Sequence, residues 1–201
     1  MLDRMALALL KPGITRLAQG LAAARVHADQ VTVLGFAVGM GSAAAIACGR
    51  PVLGLVLLLA SRLCDGLDGA LARLTTSTDR GAFLDITLDF IFYASVPLAF
   101  ALADPAANAL AAAVLLAAFV GTASSFLAFS VLAAQRGLQS TDYPSKGIYY
   151  LGGLTEATET LTCFALMCLW PAHFALFAYG FAVLCVLTIA TRLRAGWRAL
   201  A

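Results

Sequence analysis

The chain has 201 residues, a net charge of +2, 62% hydrophobic residues and only 12% charged ones. A soluble domain carries about a quarter charged residues, so this composition excludes an ordinary soluble domain. It also leaves no room for a second one beside the apolar segments, and no nucleic-acid partner is expected.

A bilayer crossing needs about 20 apolar residues. Six windows meet that length, at roughly 30–49, 51–73, 81–103, 107–134, 147–169 and 172–193. The expected fold is all-α: a polytopic membrane protein of six transmembrane helices, with residues 1–201 forming one membrane domain. Ahead of them, roughly residues 1–25 read as a helix lying in the membrane interface, apolar face down. An amphipathic connector is the alternative. Lys11, Pro12 and Arg16 interrupt the apolar run that a signal peptide would need.

The cations are placed unevenly. Six spans put the N-terminus, the 2–3 loop, the 4–5 loop and the C-terminus on one side. That side carries Arg4, Lys11, Arg16, Arg25, Arg62, Arg73, Arg80, Arg136, Lys146, Arg192, Arg194 and Arg198, and the other side only Arg50. The positive-inside rule makes both termini cytoplasmic. The expected location is the cytoplasmic (inner) membrane.

In chain order, Asp29 fits the N-cap of span 1. Pro51 suits the first turn of span 2, which runs unbroken into Ser61–Arg62–Leu63–Cys64–Asp65. Residues 74–81 read as a polar turn, and the next helix begins near Gly81. Pro105 marks an external turn. Span 5 is unusually polar, with Thr155, Glu156 and Glu159. Cys48, Cys64, Cys163, Cys168 and Cys185 fall in or near spans without a CxxC pair, and read as small packing residues. His27 and His173 sit at span ends, on opposite sides.

The chain has nine aspartates, and five of them lie between residues 65 and 89. Asp65 and Asp68 are spaced i,i+3, and Asp85 and Asp89 i,i+4, so each pair shares one helix face. An antiparallel pair of helices joined by a tight turn brings all four together near the cytoplasmic end. Each aspartate costs about 2.5–3.5 kcal/mol at a span centre, and mutual repulsion adds to that. Arg73 lies at the helix end and Arg62 is free to snorkel to the surface, so neither is expected to compensate. A divalent metal is the expected compensation. All-oxygen ligation favours Mg²⁺ or Mn²⁺, and four carboxylates suffice for two ions. Gly69 leaves bare backbone for a bulky ligand. Arg73, one turn on, can clamp a phosphate through two bonds.

The residues Asp65-x2-Asp68-Gly69-x2-Ala72-Arg73-x7-Gly81-x3-Asp85-x3-Asp89 resemble the signature of the CDP-alcohol phosphotransferases (CDP-alcohol phosphatidyltransferases). The segments DGLDGALAR, GAFLDITLDF and YYLGGLTEATET resemble a bacterial inner-membrane branch of that family. The resemblance covers nearly the whole chain. It implies transfer of a substituted phosphate from a CDP-alcohol such as CDP-diacylglycerol to an alcohol acceptor, with release of CMP, in phospholipid biosynthesis. It also implies that Asp65 and Asp85 bridge two Mg²⁺ ions, with Asp68 and Asp89 completing their shells. Asp89 becomes the general base, and Gly69 and Arg73 contact the diphosphate. Asp29 and Thr32 fall in the family's nucleotide-contacting stretch, where the usual Pro-Asn is here Ala28-Asp29. Thr78 is the choice for a nucleotide contact in the 2–3 turn, with Thr76 and Ser77 as alternatives. A homodimer is implied by the family alone.

For the acceptor, the expected residues are Lys146, Glu156 and Glu159. Two carboxylates within a span are costly, so acceptor binding is expected, with helix pairing as the alternative. With Arg136 and Lys146 the only cations in the region, an amino-alcohol or neutral polyol fits better than a phosphorylated acceptor. Two other readings compete: a Mg²⁺-dependent membrane prenyltransferase, disfavoured by the compact Gly-x2-Ala-Arg insertion, and a cation or proton transporter, which would spread its acids along a path across the bilayer.

Overall fold

A computed structural model describes the backbone of residues 2–137 and 155–201 and the side chains from Pro12 onward. The described residues form seven α-helices, one short 3-10 turn and no strand: α1 (Leu2–Ala23), α2 (Ala28–Ala47), α3 (Pro51–Leu74), α4 (Asp79–Ala103), α5 (Pro105–Gln135), α6 (Ala157–Leu169), the 3-10 turn Pro171–His173, and α7 (Phe174–Leu200).

Among the described residues, four helical segments are long and apolar enough to cross a membrane: Ala28–Ala47, Asp79–Ala103, Pro105–Gln135 and Pro171–Leu200. The 24-residue α3 is long enough but carries Arg62, Asp65, Asp68 and Arg73 in its second half. In the expected fifth span only Thr155 onward is described, and its helix has 13 residues. Many large apolar side chains face outward, among them Val33, Val56, Leu59, Leu110, Leu176 and Val183. A soluble monomer does not expose apolar surface on that scale.

Local chemistry explains the helix ends. His27 caps α2, its backbone N–H donating to Gln30 Oε1 at 3.0 Å. Asp29 therefore lies inside the first turn and is not the cap that the sequence suggested. Pro51 opens α3, as its fixed φ allows. Thr78 caps α4 and accepts from the Gly81 amide at 3.0 Å, so α4 begins at Asp79, two residues before Gly81. Asp104 caps α5, accepting from the Ala107 amide at 3.1 Å, with Pro105 behind it.

α2 packs along both α3 and α4, α5 packs on α4 and α7, and α1 lies against α3. The main core gathers Ile46, Leu58, Phe92, Val96, Phe100, Leu115, Phe164 and Phe174. Phe100 and Phe174 stack at 4.6 Å between ring centroids. A second cluster joins Ala18 of α1 to Val31 of α2 and to Ala70 and Leu71 of α3, with Ile14 and Leu21 packed on it. The N-terminal helix is thus docked beside the aspartate-bearing end of α3.

Close approach of α2 to α3 and α4 depends on absent side chains. A Cβ on Gly35 would lie 2.8 Å from Cys64 Cβ. One on Gly39 would lie 2.6 Å from the Phe92 ring and 2.8 Å from Ser61 Oγ. These two glycines let α3 and α4 share the same side of α2, which sets their carboxylates face to face.

Candidate active site

Asp65 and Asp68 project from α3, and Asp85 and Asp89 from the antiparallel α4. All four line one small cavity, together with Thr32, Gly35 and Phe36 of α2 and Ser61 and Arg62 of α3. Its volume is about 10 Å³, room for roughly one water-sized sphere. Asp65, Asp85 and Asp89 each offer an oxygen, and the three oxygens lie within 4.8 Å of one another. Such a triangle can hold a cation.

Asp68 is the most enclosed of the four, 5% exposed. The Thr32 hydroxyl and the Gly69 amide neighbour its carboxylate, yet Oδ2 is buried with no hydrogen-bond partner among the described residues. A buried carboxylate oxygen without a partner is costly. A hard divalent cation would satisfy it, and oxygen donors alone suit Mg²⁺ or Mn²⁺. The triangle of Asp65, Asp85 and Asp89, with Asp68 lining the same cavity, therefore fits such a metal.

One cation is built into the cluster. Arg62 Nη1 donates to Asp89 Oδ1 at 2.6 Å and lies 3.5 Å from Asp65 Oδ1. Its Nη2 donates to Ser61 Oγ at 3.2 Å. Its guanidinium lies 4.1 Å from the Phe92 ring centroid and 5.5 Å from that of Tyr93. At 11% side-chain exposure, Arg62 does not snorkel to the surface as the sequence suggested. The aromatic slot and the two carboxylates hold it inside.

Further along α3, Arg73 folds back along its own helix. A Cβ on Gly69 would sit 3.4 Å from Arg73 Nη1, so a guanidinium and a stretch of bare backbone stand side by side. Across from them, a Cβ on Gly81 would meet Asp29 Oδ1 at 3.0 Å and Thr78 Oγ1 at 3.1 Å. Asp29 and Thr78 thus meet at the start of α4. Asp29 also pairs with Arg80, Nη2 to Oδ2 at 2.6 Å.

A larger cavity of about 420 Å³ opens beside α4, α5, α6 and α7. It is mostly apolar, with Tyr93, Phe119, Phe126 and Phe181 in its wall and Thr155, Glu156 and Arg192 among its polar groups. Arg192 Nη1 donates to the Thr122 carbonyl at 3.1 Å. Tyr93 belongs both to this wall and to the aromatic slot around Arg62.

A model of the CDP-alcohol phosphatidyltransferase domain matches residues 25–192. The chain belongs to the CDP-alcohol phosphatidyltransferase family. The family places it among membrane transferases of phospholipid biosynthesis. It is 49% identical over 197 residues to the inner membrane protein YnjF of Escherichia coli K12, covering 98% of this chain and 96% of that protein. It is 46% identical over 63 residues to an archaetidylinositol phosphate synthase of Methanothermobacter thermautotrophicus, covering 31% of this chain and 32% of that one. Among solved structures it resembles Mycobacterium tuberculosis phosphatidylinositol phosphate synthase (PgsA1) with CDP-DAG bound. There the TM-score is 0.66 at 26% identity, over 92% of this chain and 93% of that chain. The same enzyme in complex with manganese and citrate gives a TM-score of 0.67 at 26% identity, over 92% and 88%.

Within this family member, the expected site residues that are described fall into three groups. Asp65, Asp68, Asp85, Asp89 and Thr32 come together in one cavity, with Gly69 and Arg73 adjoining along α3. Asp29 and Thr78 are close to each other, and each has a structural task, the ion pair to Arg80 and the cap of α4. Glu156 and Glu159 open α6 as a reciprocal capping box, the Glu156 amide donating to Glu159 Oε2 at 3.1 Å. Capping accounts for Glu159 without a ligand, while Glu156 also lines the larger cavity. Lys146 lies outside the described residues. Sequence reasoning missed Ser61, Phe92 and Tyr93 and misplaced Arg62. The available signal was an arginine in an apolar run, one turn before Asp65.

Proposed function

We propose that this protein transfers a phosphatidyl-type group from a CDP-linked lipid, such as CDP-diacylglycerol, to an alcohol acceptor and releases CMP. The observation that carries this reading is the meeting of Asp65, Asp68, Asp85 and Asp89 around one cavity, with Gly69 and Arg73 adjoining on α3. Two relatives add support: a synthase of similar fold was solved with CDP-DAG bound, and again with manganese.

In this reading Asp65, Asp68, Asp85 and Asp89 hold two Mg²⁺ or Mn²⁺ ions. Bound there, the ions would neutralise the diphosphate and stabilise the departing CMP. Arg73, beside the bare backbone of Gly69, clamps a diphosphate oxygen pair. Thr32, Asp29 and Thr78 contact the nucleotide. Asp89 accepts the proton of the acceptor hydroxyl. The alcohol oxygen forms a bond to the β-phosphorus as the bond from that phosphorus to the CMP oxygen breaks. A phosphodiester and CMP result.

The acceptor enters from the larger cavity, with Glu156 and Lys146 as candidate contacts and Glu159 as a further one. An amino-alcohol or neutral polyol matches Glu156, while Arg192 in the same wall adds a cation to a region where the sequence suggested only Arg136 and Lys146. Six segments cross the cytoplasmic membrane as one domain, both termini lie in the cytoplasm, and the carboxylates face that side. The homodimer rests on the family resemblance.

The test is a CMP-release assay on purified protein. It uses CDP-diacylglycerol, a panel of amino-alcohol, polyol and polyol-phosphate acceptors, and Mg²⁺ or Mn²⁺. CMP release with one acceptor is expected. No release with any acceptor, together with no CDP binding, overturns the reading.

A further inference from the structure

Arg62 stands out among the charged groups because its surroundings are complete on every side except one. An arginine buried without partners is strongly unfavourable, and this one is compensated by Asp89 at 2.6 Å and Asp65 at 3.5 Å. One face of its guanidinium lies on Phe92, and the Tyr93 ring centroid stands 5.5 Å away. Ser61 Oγ accepts from Nη2 while donating its own proton to the Gly35 carbonyl at 2.7 Å. Only Nε lacks a partner among the described residues.

This is a slot shaped for arginine. A planar fork that stacks on a ring and donates in two directions is not reproduced by lysine. The slot fixes the fork, and the fork in turn fixes one oxygen of Asp89. It leaves the second Asp89 oxygen without an arginine contact.

We propose that Arg62 is a positioning residue: it holds Asp89 in a single orientation and keeps a permanent positive charge against the carboxylate cluster. The proposal rests on the reading of Asp89 as the base. It adds that the base is oriented by α3, from one turn before Asp65, and that any metal binds against a resident cation. Removal of Arg62 then has two separable consequences. Asp89 loses its orientation, which lowers turnover. The cluster loses a like charge, which strengthens divalent-ion binding.

The experiment compares Arg62→Lys and Arg62→Met with the unaltered protein. Mn²⁺ binding is read by electron paramagnetic resonance, CDP-diacylglycerol binding by equilibrium titration, and CMP release by kcat and KM. Arg62→Lys keeps the charge and loses the fork, so its Mn²⁺ affinity stays within twofold while kcat falls at least tenfold. Arg62→Met loses both, so its Mn²⁺ affinity rises at least threefold while kcat falls at least as far. Donor KM stays within threefold in each. A merely structural arginine would weaken Mn²⁺ and donor binding together. The proposal is overturned if Arg62→Met binds Mn²⁺ more weakly, or if Arg62→Lys turns over at the unaltered rate. If the unaltered protein itself releases no CMP and binds no CDP, the transferase reading fails, and the Mn²⁺ comparison still decides the charge effect of Arg62.

Discussion

Ser61 Oγ donates to the Gly35 carbonyl at 2.7 Å, joining α3 to α2 one residue before Arg62. The bond exists because Gly35 and Gly39 let the two helices touch. It links backbone packing to the candidate site, since the same hydroxyl receives Arg62 Nη2.

Gly39→Val tests that link. Its new Cβ would fall 2.6 Å from the Phe92 ring and 2.8 Å from Ser61 Oγ. Overpacking of this kind costs about 1–3 kcal/mol, and here the displaced groups are those that hold Arg62. Thermal unfolding in detergent should show a lowered midpoint, and Mn²⁺ affinity should change as well. Gly180→Ala is the control: nothing lies within 4 Å of its Cβ, and a helical glycine replaced by alanine gains up to about 1 kcal/mol. Equal losses in both variants would show that the Gly39 contact has no special part.

Asp68→Asn tests the metal fit. The carboxylate is buried, and its Oδ2 has no hydrogen-bond partner among the described residues. An amide in its place brings no negative charge to a cation. Mn²⁺ affinity should fall at least tenfold, and the CMP release expected of the unaltered protein should fall with it. Chelation by EDTA should abolish that release, and added Mg²⁺ or Mn²⁺ should restore it. Unchanged Mn²⁺ binding in Asp68→Asn would remove this residue from the metal set.

Cys48 tests the orientation. It is exposed between α2 and α3, whereas Cys163, Cys168 and Cys185 are buried and Cys64 is half-buried. With cytoplasmic termini, Cys48 faces outward. A membrane-impermeant maleimide should label intact spheroplasts, and Cys48→Ser should remove that label. Labelling of Cys48 only in inverted vesicles would reverse the topology.

Helix periodicity alone brought out the carboxylate arrangement, because i,i+3 and i,i+4 spacings leave little freedom once α3 and α4 run antiparallel. The Pro51 start and the tight turn to α4 were legible for the same local reason. Arg62 was not, because the long arginine side chain can carry its charge to water or to an interior acid equally well. Only the tertiary placement of Phe92 and Tyr93 decides between them. Asp29 looked like a cap because aspartate is a common one, yet His27 with Gln30 starts the helix earlier in the chain. Glu156-x2-Glu159 carried a capping-box spacing, which satisfies these carboxylates at a helix start without a ligand. Gly35 and Gly39 form a small-x3-small pair, but their partner helix is not written in their own segment.

The most direct measurement is Asp89→Asn, assayed for CMP release and for CDP-diacylglycerol binding on the same preparation. An amide at this position cannot take the proton of the acceptor hydroxyl, while the diphosphate contacts assigned to Gly69 and Arg73 are untouched. CMP release should fall at least a thousandfold with donor affinity held within about tenfold. CMP release at the unaltered rate, or equal loss of binding and turnover, would contradict the account.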